Sequence, residues 1–100
     1  MNISQKHVLD RAEAKRRVEK LTNNWKNEYG MKVDWNGDKA HLEGDIKGIH
    51  VDAHVTVTDN SIDAVGTDPG FLLRKVATAY LQNQLAACLD PSKTVDDIKG

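Results

Sequence analysis

The sequence predicts a two-layer α+β domain, α-β-β-β-β-α, in which a four-stranded antiparallel meander carries both helices on one face. Three observations point there. Residues 50–57, His-Val-Asp-Ala-His-Val-Thr-Val, alternate polar and apolar side chains without a break, the period of a half-buried strand. Turn signals at Asn36-Gly37, Lys47-Gly48 and Asp59-Asn60 join short alternating segments, and tight turns make sequential strands antiparallel neighbours. Apolar residues at helical spacing flank this block on both sides.

The first helix should start at Asp10, because Asp followed three residues later by Glu13 offers acceptors to free backbone N–H groups. It should stop at Tyr29, before Gly30. Ala14, Val18, Leu21 and Trp25 form one narrow stripe, extended by Tyr29, while Glu13–Arg17 and Lys15–Glu19 sit at i,i+4 spacing on the charged remainder. Met31 to Trp35 reads as the first strand, and Asn36-Gly37 suits a two-residue hairpin turn. The second strand puts Ala40, Leu42, Gly44 and Ile46 inward, the third Val51, Ala53, Val55 and Val57, and the fourth Ile62 and Ala64.

Asp68-Pro69 is read as the start of the last helix, with Asp as N-cap and Pro in the first turn. The helix should run to about Leu89, before Asp90-Pro91. Its apolar residues cover more than half the circumference, so it needs more than one apolar partner. Leu72, Leu73, Val76, Ala77 and Tyr80 are expected to face the sheet, with Phe71, Leu85 and Leu89 well round the cylinder. The domain should therefore span residues 10–89, with 1–9 a flexible N-terminal segment and 90–100 a polar C-terminal tail.

Composition narrows the classes of function. A net charge of −1 with 29% charged residues gives no global attraction to nucleic acid or an anionic membrane. No apolar run approaches the ~20 residues that span a bilayer, and residues 1–7 lack the apolar core of a secretory signal. With the single Cys88, these features lead us to expect a cytoplasmic protein. Cys88 falls on the apolar side of its helix and reads as a small core residue. Trp25 and Trp35 both read as inward-packing. Neither a nucleophile motif nor a phosphate or dinucleotide fingerprint occurs, so no enzyme, catalytic residue or cofactor is expected.

Two surfaces remain as candidates. A tight turn at Lys47-Gly48 would set Asp45 opposite His50, Glu43 opposite Asp52 and His41 opposite His54, all on the outer face, with opposed Cβ atoms ~5 Å apart. His41, His54 and Asp52 are then the residues that would hold a divalent ion, but a solvated sheet face accounts for them more simply, and no metal is expected. The other surface is the surplus apolar side of the last helix, with Phe71, Leu72, Leu85 and Leu89, able to join two protomers or dock on a partner. A carrier of a small apolar ligand between this helix and the sheet is the alternative, because Gly44, Ala53 and Ala64 are small inner-face residues. The basic residues of the first helix, Arg11, Lys15, Arg16, Arg17, Lys20 and Lys26, are interleaved with Glu13, Glu19 and Glu28 and read as a charged exposed face. Helix–meander–helix order also occurs in double-stranded RNA-binding domains, but the basic cluster that opens their last helix is replaced here by Asp68-Pro69-Gly70-Phe71-Leu72-Leu73.

His7, the Ala14-centred helix ending Tyr29-Gly30, Trp35-Asn36-Gly37-Asp38, Gly44 and Gly48, and Gly70-Phe71-Leu72-Leu73 together form a distributed pattern over residues 6–89. In these residues the chain resembles the polyhydroxyalkanoic acid system (polyhydroxyalkanoate granule region) family of small bacterial proteins. The resemblance implies a non-enzymatic accessory role in polyester storage, at a granule surface or with a granule-associated protein, and the apolar side of the last helix adds the homodimer as a candidate partner. Net charge and apolar run length, rather than the resemblance, argue against nucleic-acid binding and integral membrane contact. The pair His41/His54 is not among the residues that carry it.

Overall fold

A computed structural model describes residues 2–46, 48–67, 70 and 73–93. Its elements run β1 (Asn2–Lys6), α1 (Arg11–Tyr29), β2 (Lys32–Asn36), β3 (Lys39–Ile46), β4 (Ile49–Val57), β5 (Ser61–Gly66) and α2 (Arg74–Cys88). The α+β class and the antiparallel meander β2-β3-β4-β5 agree with the sequence, but the sheet has five strands in the order β1-β5-β4-β3-β2. Residues 2–6 are thus an edge strand rather than a flexible segment, paired antiparallel with β5 from Asn2↔Val65 to Lys6↔Ser61. The segment Asn-Ile-Ser-Gln-Lys has one apolar side chain, buried Ile3, so alternation alone could not reveal it.

Backbone pairing and polar contacts hold β1 instead. Ser4 Oγ donates to Asp63 Oδ1 at 2.6 Å. Beyond the strand, buried His7 ties both neighbours down: its Nδ1 accepts from the Leu9 N–H at 3.2 Å, which leaves Nε2–H to donate to the Thr58 carbonyl at 3.0 Å.

Asp10 caps α1, accepting from the Glu13 N–H at 2.8 Å, and Gly30 ends it in the left-handed conformation at φ 68°. Ala14, Val18, Leu21 and Trp25 are buried, as their stripe requires. Arg17 is buried too, against its reading as part of an exposed charged face. Its guanidinium donates to the Glu13 carboxylate at 2.8 Å and to the carbonyls of Cys88 (3.3 Å), Asp90 (2.7 Å) and Lys93. Carbonyls at a helix C-terminus lack intrahelical donors and carry partial negative charge, which a cation offsets. Arg17 therefore fastens the end of α2 and the start of the tail to the middle of α1.

That anchor fixes which side of α2 faces inward. Ala77, Leu85, Cys88 and the capping Leu89 are buried, with Tyr80 and Leu81 packed against the core. Leu85 (6% exposed) and Leu89 (4%) are thus core residues, not part of an outward patch, while Leu73 (45%) and Val76 (62%), expected beneath the helix, are exposed. The helix starts at Arg74 rather than near 69; Gly70 has φ 108°, a conformation no right-handed helix continues through. The Asp68-Pro69 cap and the surface residues Phe71 and Leu72 lie outside the described residues.

One core lies between the helices and the inner sheet face, joining Leu21 and Trp25 of α1, Leu42, Val55 and Ile62 of the sheet, and Leu85 of α2. Met31 also reaches it: a Cβ on Gly44 would stand 3.1 Å from the Met31 Cα, so the absence of a side chain there makes room for the chain leaving α1. Gly44 consequently leaves no ligand space.

Cys88 is 2% exposed and burial pushes its thiol up to about 12, with Arg17 opposing weakly. Because the thiolate is the reacting form, modification of native protein by an aromatic disulfide reagent should be slow and should accelerate to the free-thiol rate only in denaturant. Rapid labelling without denaturant would place Cys88 elsewhere.

Candidate functional site: an apolar cleft and a histidine-bearing sheet face

The inner face is unevenly covered. Ala40, Leu42, Val55, Val57 and Ile62 are buried, whereas Val51, Ala53 and Ala64 on the same face are only partly so. The cause is the placement of α2, which rests on β1 and α1 and is fastened at its C-terminal end by Arg17. Its N-terminal half stands over the small residues of β4 and β5 without filling the space above them.

The result is a cleft of about 470 Å³, within the ~300–1,000 Å³ of small-molecule sites. Val51, Ala53, Ala64 and Gly66 line the sheet side, and Ile46 and Ile49 the end at the β3–β4 turn. Leu73, Val76, Ala77, Tyr80 and Leu81 form the α2 side. Two of the three small residues read from the sequence, Ala53 and Ala64, are in this wall. Even an Ala at position 66 would be tight, since its Cβ would lie 3.1 Å from that of Ala53 and 3.2 Å from the Asp52 carbonyl oxygen.

The polar groups on the wall are few: Thr67, His50 and the Tyr80 phenol. Tyr80 Oη lies 3.4 Å from Tyr29 Oη. Burial first, then the Tyr29 hydrogen bond and the charges of Tyr29 and Glu28, pushes the Tyr80 phenol up to about 12, the Trp25 indole opposing. Tyr80 therefore stays a neutral hydroxyl, able to donate or accept, at neutral pH. Among the described residues the lining includes no carboxylate, thiol or lysine.

The opposite, outer face has the register expected from the turn. His41 pairs with His54, Glu43 with Asp52 and Asp45 with His50. The His41 and His54 rings stack with centroids 4.7 Å apart at 15°. Asp52 Oδ1 is 2.7 Å from His41 Nε2, and Asp45 Oδ1 is 3.2 Å from His50 Nδ1.

The basic strip of α1 is largely spoken for within the chain. Arg11 lies 3.6 Å from Asp38 and 3.5 Å from Asp59, Arg16 and Arg17 pair with Glu13, and the Lys15 ammonium sits 5.8 Å above the half-buried Trp35 ring. Such pairing leaves little of the strip to meet phosphates. Trp25 is buried as expected, and its Nε1 lacks a hydrogen bond of ordinary geometry.

Comparison with known families identifies a match over most of the chain. The family described as "Putative polyhydroxyalkanoic acid system protein (PHA_gran_rgn)" matches residues 1–91. The chain belongs to this family. For the polyhydroxyalkanoic acid system family the match includes β1, which the sequence pattern had missed, and ends just past α2. No curated protein and no solved structure matches the chain. Among the described residues, no helix is long and apolar enough to cross a membrane.

Sequence reasoning missed two residues that shape this polyhydroxyalkanoic acid system protein, Arg17 and Tyr80. Arg17 carried a signal: it lies three residues after Ala14 and four before Leu21, on the buried stripe itself. Tyr80 was read only as part of an apolar helix face.

Proposed function

We propose that this chain is a non-enzymatic accessory protein of polyhydroxyalkanoate storage whose cleft under α2 takes an apolar acyl segment. The observation that carries the reading is the uncovered strip of small residues, Ala53, Ala64 and Gly66, facing the raised half of α2. A hydroxyalkanoate chain has apolar alkyl groups and ester oxygens that accept hydrogen bonds. The wall offers the matching chemistry, aliphatic on most of its area with hydroxyls at Tyr80 and Thr67.

The same geometry serves granule association. Leu73 and Val76 stand exposed on the helix side of the cleft, where they can contact the polyester surface while the cleft admits a segment of it. The protein is expected to co-sediment with isolated poly(3-hydroxybutyrate) granules, and Val76→Asp is expected to leave most of it in the supernatant. Val65→Asp, on the outer face opposite His54, serves as control and should co-sediment like the wild type. Wild-type protein remaining in the supernatant would count against the reading.

A further inference from the structure

The outer sheet face brings three metal-binding side chains together on its two longest strands. We propose that His41, Asp52 and His54 form a site for a divalent first-row transition ion, with zinc as the natural test case. One donor atom from each residue falls within 4.8 Å of the others. The closest pair, His41 Nε2 and Asp52 Oδ1, is 2.7 Å apart. Tetrahedral zinc with bonds of ~2.0–2.2 Å sets its donors about 3.3 Å from one another. The present distances bracket that value, but the His41 and His54 rings stack at 4.7 Å and 15°, so their in-plane lone pairs run nearly parallel. Binding requires the His54 ring to turn out of the stack toward the ion while Asp52 and His41 part slightly.

Three features favour a metal over an incidental cluster. First, backbone pairing sets the geometry, since His41 and His54 are direct partners in β3 and β4 and Asp52 is two residues from His54 on the same strand. The backbone positions of the ligands are thus fixed by the sheet. Second, two imidazoles and one carboxylate are the borderline donor set that suits zinc, copper(II) or nickel(II) rather than calcium or magnesium. Third, carboxylates adjoin the cluster: Asp34 is the β2 partner of His41 and Glu43 the β3 partner of Asp52, with Lys32 opposite Glu43 and Lys39 two residues before His41 on the same face. The field of these carboxylates favours a cation and offsets the charge a bound ion brings.

His41 and Asp52 keep 42% and 38% of their side-chain surface exposed. Three protein ligands on an open face leave at least one position of the metal to water or to a donor from another molecule. The site lies on the opposite side of the sheet from the cleft and stands independently of the function assigned to that cleft.

The test is calorimetric titration of tag-free protein with zinc chloride. One zinc per chain should bind, and His41→Ala and His54→Ala should each weaken it at least ten-fold. Asp52→Asn should weaken it too, and His50→Ala, which removes a histidine outside the cluster, should leave it unchanged. All four side chains are at least partly exposed, and far-UV circular dichroism of each variant checks the fold. In parallel, zinc should move the imidazole NMR resonances of His41 and His54 and leave that of buried His7 in place. The absence of zinc-dependent heat, or undiminished binding in the His41→Ala and His54→Ala variants, would overturn the assignment.

Discussion

Replacing Arg17 by Ala should lower the stability of the protein by about 2–4 kcal/mol. Its buried guanidinium donates to the carbonyls of Cys88, Asp90 and Lys93 and to the Glu13 carboxylate. The substitution leaves those carbonyls without their donor at the end of α2, and it leaves a void between the helices. At roughly 4–8 °C per kcal/mol for a domain of this size, the thermal midpoint should fall by about 10–30 °C. Arg17→Lys should recover only part of this, because one ammonium cannot reproduce a planar fork aimed at separate acceptors.

The pH dependence follows from the same pair. Hydrogen bonding to Arg17 is the largest influence holding the Glu13 carboxyl below its ordinary 4.5. Because the folded value is the lower one, the pair's contribution is fully present above 4.5 and is lost as pH falls through the depressed value. In Arg17→Ala this part of the acid sensitivity should shrink. A loss under ~0.5 kcal/mol, the effect of an ordinary surface substitution, would show that Arg17 does not anchor α2.

The second large effect is expected at Ala64. It lies on the inner face of β5, paired with Ile3 on one side and Val55 on the other, and lines the cleft. Ala64→Leu should put three more carbons where the ligand is to sit. Affinity for a medium-chain 3-hydroxyacyl methyl ester should fall at least ten-fold, or by about 1.4 kcal/mol. The same change in a filled core would cost ~1–3 kcal/mol of stability through overpacking. Projecting into open space, it should be close to neutral or mildly stabilising in urea denaturation. Strong destabilisation would mean that the space is already packed.

The parts of the fold legible in the sequence are those with local causes. Asp10 and Gly30 bound α1 through capping chemistry contained within a few residues. The β3–β4 register follows from a tight turn and strict alternation, and it places His41 against His54 and Glu43 against Asp52 as expected. What escaped depends on distant partners. β1 has a single inward apolar side chain and is held by its ladder to β5 and by His7 reaching Thr58. The rotation of α2 could not be read from its wide apolar surface, because several faces were compatible with burial. Arg17, reaching across from α1, goes with the one that buries Leu85, Cys88 and Leu89 and exposes Val76.

The cleft was legible in outline for a similar reason. Small residues at Ala53 and Ala64 flagged spare volume, but Gly44, which carries the same signal, is occupied by Met31. Small size on a strand marks either a ligand's space or a neighbour's close approach, and only the tertiary arrangement separates the two.

The central claim is most directly tested by amide chemical-shift mapping of ¹⁵N-labelled protein titrated with the methyl ester of a medium-chain 3-hydroxyalkanoic acid. Saturable shifts are predicted at Ala53, Ala64, Gly66, Ala77 and Tyr80, with the outer-face amides of His41 and Val65 little changed. A spectrum unchanged at ligand saturation in water, or shifts confined to residues outside the cleft, would contradict it.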